Sequence, residues 1–148
     1  MSEKLSKTHL ETWRLFIMTH AKLIGAIDYQ LTTAQKIPLH WYDVLIELYE
    51  APDRRLRMHE LADRVVLSRS GLTRLVDNLE KAGYLRREIN LKDRRGFFAV
   101  ITEEGIAALR EAWPIYAEGI AQFFAQHLDE ESAVLLARLF SKMLAGAK

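Results

Sequence analysis

"SRSGLTRLVDNLEKAGY", residues 68–84, decides how the rest of this chain is read. Advanced at roughly 100° per residue, as an α-helix requires, Leu72, Leu75, Val76 and Leu79 fall in one narrow stripe. Ser70, Thr73, Arg74, Asp77 and Lys81 fall on the other side. The stripe is expected to pack on a short preceding helix through Leu61, Ala62 and Val65. The opposite face then holds the residue types that hydrogen-bond phosphates and base edges. An ordinary solvated helix face would show the same split, so the neighbouring sequence must decide. Gly71, in the first turn, weakens a helix. It is explained if a backbone must come close to a phosphate there, or if a side chain would clash in the turn. Gly83 marks the C-cap.

On the N-terminal side, "MHELADRV" reads as a short helix and "LHWYDVLIELYEA" as another, ended by "APDRR". Before them, residues 5–34 repeat Leu10, Trp13, Ile17, Ile24, Ile27 and Leu31 at threes and fours, until Pro38 pushes Ile37 out of helical geometry. On the C-terminal side, "YLRREIN" and "GFFAVIT" suit strands, and "LKDRRG" lies between them with Gly96 as turn former. Thr102, backed by Glu103 and Glu104, starts a helix expected to reach about residue 127 and to bend at Pro114. "DEES" opens the last one, whose Leu135, Leu136, Leu139, Phe140, Met143 and Leu144 share a broad face. The expected fold is mainly α (α+β): a winged helix-turn-helix with a two-stranded wing. The outer helices carry more apolar surface than they can bury alone.

At 148 residues, 49% hydrophobic and 28% charged, the chain suits one globular domain or two small lobes sharing a core. Charges interrupt every apolar stretch before bilayer-spanning length, and "MSEKLSKTHLETW" lacks the apolar run of a secretory signal. With no cysteine, disulfides, thiolate zinc sites and thiol redox chemistry are excluded; a cytoplasmic location is expected. The formal net charge of +1 conceals an asymmetry. Between Arg54 and Arg95 lie 12 of the 21 basic residues and 6 of the 20 acidic ones, a local excess of six positive charges. Such a basic middle suits a polyanionic partner. Lys92, Arg94 and Arg95 sit on or beside the hairpin tip, where a thin basic loop can reach a minor groove while the helix occupies the major groove. Asp93 among them would orient an arginine rather than face phosphate.

Other classes find little support. Nucleophile-elbow, P-loop, dinucleotide-fingerprint and zinc-protease motifs are all lacking, so no catalytic residue, cofactor or enzymatic activity is expected. The histidines at 9, 20, 40, 59 and 127 are scattered without an i, i+4 pair, and no metal site is expected. A dimeric scaffold using the hairpin for other contacts is the remaining alternative to a DNA-binding protein.

"MHELADRVVLSRSGLTRLVDNLEKAGYLRRE" followed by "KDRRGFFAVITEEG" resembles the winged helix-turn-helix of the MarR family, the multiple-antibiotic-resistance-type transcriptional regulators. The flanking helices agree in order and length, so the resemblance covers nearly the whole chain. It implies a homodimer on double-stranded DNA, usually a repressor, with residues 1–36 and 103–148 as interlocked dimerisation helices. Residues 38–102 would form the DNA-binding lobe, with a recognition helix at about 69–82 and a wing at about 84–101. Leu10, Trp13, Ile17, Leu135, Leu139, Phe140 and Met143 would then bury against the partner. Ser68, Arg69, Ser70, Thr73 and Arg74 take the recognition positions, and Lys92, Arg94 and Arg95 the wing positions. Arg74 or Arg69 is expected at a base edge and Arg95 in the minor groove. The family often binds small aromatic or phenolic anions. Trp13, Phe16, His20, Trp41, Tyr42 and Asp43 supply aromatic walls and polar groups for such a ligand, while Trp41 and Tyr42 also suit a plain hydrophobic core.

Overall fold

The computed structural model describes residues 5–65, 69–92 and 96–147. Its elements run α1 (Lys7–Thr33), α2 (Leu39–Glu50), β1 (Arg55–Arg57), α3 (Met58–Arg64), α4 (Arg69–Lys81), β2 (Leu85–Ile89), β3 (Phe97–Ile101), α5 (Glu103–Phe123) and α6 (Glu130–Gly146). The chain divides into two units: Asp28–Ile115, and Met1–Ile27 together with Tyr116–Lys148.

In the unit Asp28–Ile115, the boundaries are set by local chemistry. Helix α1 stops before Pro38 because Gln35 takes a left-handed conformation (φ 59°). That lets the Lys36 amide reach the Leu31 carbonyl oxygen at 2.9 Å and the Gln35 amide that of Thr32 at 3.0 Å. The next helix is capped from a distance: the Leu39 amide donates to Asp28 Oδ1 at 2.8 Å. At the end of α4, Gly83 (φ 85°) completes a Schellman turn, with Tyr84 N–H to the Leu79 carbonyl oxygen and Gly83 N–H to that of Glu80, both 3.0 Å. The core is aliphatic: Leu31, Val44, Leu45, Leu48, Leu61, Val76, Leu79 and Leu85 are fully buried. Burying a side chain of this size stabilises a fold by about 1.5–3 kcal/mol before entropy is counted.

The expected hairpin is present, but it gains a third strand. The sheet order is β1-β3-β2, all antiparallel, with Leu56 opposite Ala99 and Arg87 also opposite Ala99. Sequence alone missed β1 because three residues, "RLR", with one apolar side chain carry almost no alternation. Asp53 and Arg54, both at left-handed φ, turn the chain into it, and the Arg54 amide closes that turn on the Ala51 carbonyl oxygen at 2.9 Å.

In the other unit, α6 has no buried residue, and Asp129 caps it by accepting the Ser132 amide at 2.7 Å on Oδ1. Helix α5 continues through Pro114 as one element but ends at Phe123; a short 3-10 turn, Ala125–His127, replaces the helix expected as far as residue 127. Phe16 packs against Trp13 and Phe140, each with ring centroids 5.9 Å apart, and against His20 at 6.5 Å.

Candidate nucleic-acid interface

Helix α4 shows the division its sequence implies. Leu72, Leu75, Val76 and Leu79 are buried, whereas Ser70, Thr73, Arg74, Asn78 and Lys81 are exposed. Arg74 and Lys81 have no ion pair among the described residues. Arg69 is the first residue of α4. Gly71 lines a depression of about 330 Å³ with His40, Trp41, Ser70, Arg74, Leu75 and Asn78. Ser68, Asp93, Arg94 and Arg95, assigned to the same interface from sequence, lie outside the described residues.

Asp77, expected on the free face, is engaged there by an arginine. It is half-buried and paired with the Arg87 guanidinium on β2, which also donates from Nη1 to Glu80 Oε1 at 2.5 Å. Burial works to lower the Arg87 pKa, but hydrogen bonds and charge from Asp77 and Glu80 outweigh it and hold it above the ordinary arginine value. Along the sheet, Arg55 and Arg86 both pair with Glu88, at 2.8 and 3.0 Å. Acids of this segment are therefore held by its own arginines, and the excess of positive charge is carried by other basic residues. Sequence reasoning missed these pairs; the spacing of Asp77 and Glu80, one helical turn apart, was the available signal.

At the wing, Lys92 is exposed, and its amide donates to the Asn90 side-chain oxygen at 3.0 Å. Asn90 is itself buried, so this turn anchors the strand end from which the basic loop departs. Below, α5 is joined to α4 through Thr102. Its hydroxyl donates to the Gly83 carbonyl oxygen at 2.6 Å and accepts the Gly105 amide at 3.1 Å.

The residues suggested for a small ligand do not converge within the unit Asp28–Ile115. Tyr42 is buried and stacks on Trp113 at 6.5 Å, and Trp41 meets Tyr84 edge-on at 6.0 Å. Asp43 instead lines a cleft of about 310 Å³ with His40, Val44, Ile46, Glu47, Arg64 and Val65. Dehydration in that cleft raises the Asp43 pKa; the His40 charge opposes the shift and Glu47 adds to it. Trp13, Phe16 and His20 follow one another along α1 in the other unit. The assigned contact residues Leu10, Trp13, Ile17, Leu135, Leu139 and Met143 are exposed there, and Phe140 is half-buried.

A buried-stripe helix after a short helical turn, followed by a hairpin and a capped helix, is the arrangement of a winged helix-turn-helix protein. Residues 35–96 match the MarR family model. Sco3205 of Streptomyces coelicolor, a MarR family transcriptional regulator solved in complex with DNA, is 33% identical with a TM-score of 0.91, over 99% of this chain and 92% of that one. MhqR, an HTH-type transcriptional regulator of Bacillus subtilis, is 32% identical over 107 residues, 72% of each chain. The HTH-type transcriptional repressor YetL of the same organism is 31% identical over 103 residues, 70% of this chain and 59% of that one. This chain belongs to the MarR family of transcriptional regulators.

Proposed function

We propose that this chain is a homodimeric repressor that binds a pseudo-palindromic operator in double-stranded DNA. The observation that carries the reading is the exposed face of α4, where Ser70, Thr73, Arg74 and Lys81 stand over a buried aliphatic stripe. Two such helices, meeting successive major grooves roughly 34–36 Å apart, would read two half-sites. Arg74 or Arg69 would contact a base edge, Ser68, Ser70 and Thr73 would complete the recognition surface, and Lys92, Arg94 and Arg95 would engage backbone and minor groove, with Asp93 orienting an arginine. Sco3205, crystallised with DNA, and YetL, named a repressor, support this reading.

Dimerisation accounts for the apolar side chains that α1 and α6 leave in water, among them Trp13 at 58% exposure and Met143 at 61%. An obligate interface of this type buries more than about 2,000 Å². Relief by a small aromatic or phenolic acid completes the proposal. The contiguous Trp13–Phe16–His20 run favours it, and a coupling of about 1–3 kcal/mol would change operator affinity 5- to 150-fold.

The test is binding to duplex oligonucleotides across a salt series, with light scattering on the same sample. A groove reader loses affinity linearly in log–log form. A monomer, or a protein indifferent to duplex DNA at low salt, refutes the proposal. Salicylate or urate that alters neither tryptophan fluorescence nor operator binding removes the ligand part alone.

A further inference from the structure

Arg87 joins three elements at once. From β2 its guanidinium donates to Asp77 and to Glu80 Oε1 on α4, its own amide donates to Glu80 Oε2 at 3.1 Å, and it lies 5.1 Å from the Phe97 ring centroid on β3. The side chain is only 23% exposed. Isolated surface ion pairs contribute little, because solvent screens them and long side chains lose freedom in forming them. Here one planar fork spans two carboxylates a helical turn apart, and the backbone beside it is tied to the same acid. That geometry resists both sliding along α4 and rotation about its axis.

The clamp lies next to the point where it would matter. Between α4 and β2 the chain turns at Gly83, a residue with few conformational restraints of its own. Lys92, which follows β2, stands at the far end of that strand from the turn. A small change of angle at the base therefore displaces that end by more than it displaces Arg87.

We propose that Arg87 is a positioning residue that locks the wing to α4, so that helix and wing present their cationic side chains to DNA as one body. The proposal rests on the DNA-binding reading above. Arg87 acts through the wing, so removing it costs what the wing contributes.

The experiment uses the full chain and a duplex that the wild-type protein selects from a random-sequence pool. Arg87→Met is expected to weaken binding about 5- to 150-fold, the size of a lost set of wing contacts. On that background Arg95→Ala costs little more, whereas Arg74→Ala keeps its full effect. Should Arg87→Met melt below the assay temperature, the milder Asp77→Asn is carried through the same cycle and shows the same pattern with a smaller loss. Wild-type affinity in either folded variant, or losses for Arg87 and Arg95 that simply add, overturns the proposal. A wild-type chain that selects no duplex overturns the DNA-binding reading, and this inference with it.

Discussion

The first turn of α5 lies so close to Tyr84 that a Cβ on Gly105 would collide with the Tyr84 carbonyl oxygen. It would also come within 2.8 Å of Ile101 Cγ1. The closeness has a use, because it lets Thr102 bond the Gly83 carbonyl oxygen and the Gly105 amide together. Through that contact the end of α4 and the start of α5 share one hydroxyl.

Gly105→Ala is therefore expected to destabilise the chain by about 1–3 kcal/mol or more, since the atom it meets is backbone and cannot swing aside. Thr102→Val, which keeps the shape but loses both bonds, is expected to cost about 0.5–2 kcal/mol. Thermal melts read both, at about 2–4 °C per kcal/mol for a chain of this size. An unchanged melt for Gly105→Ala would mean that α5 shifts without cost.

Asp43 gives a pH signature. Its folded-state pKa is raised, first by dehydration, so the neutral form is favoured in the fold. The stability tied to this group is full below the unfolded pKa and is lost as pH rises through the folded value. Asp43→Asn is accordingly expected to melt higher than wild type at neutral pH, with the gap narrowing as pH falls into the carboxylate range. A gap that widens on acidification contradicts the assignment.

For DNA, the two kinds of contact separate by what they change. Arg74→Ala is expected to cost about 1–3 kcal/mol and to relax sequence preference at one operator position. Lys92→Ala is expected to weaken all duplexes alike and to reduce the salt slope by about one unit. Competition against single-base operator variants distinguishes them; identical losses on every sequence for both would reject the base-reading role of Arg74.

For the dimer, Leu139→Asp places a carboxylate among Leu135, Phe140 and Met143 on the exposed face of α6. Light scattering should then report monomer, and operator affinity should fall because the two half-sites are no longer read together. The wild-type melting temperature should rise with protein concentration. A variant that stays dimeric removes α6 from the interface.

Much of the lobe was legible in the residues themselves. The stripe of α4 follows from a 3.6-residue period, and the caps at Gly83 and Thr102 lie within a few residues of the groups they satisfy. Such signals are local, so a linear sequence carries them intact.

Other features exist only after the chain has reversed direction. Strand β1 is a strand because β3 pairs with it, and its three residues hold no pattern of their own. Asp28 caps α2 from eleven residues away, and Asp77 is engaged on the polar side of α4 because Arg87 arrives beside it. Periodicity tells which side of a helix avoids water. Only the packed fold decides which charged groups meet one another, because that depends on distances set by backbone far apart in sequence.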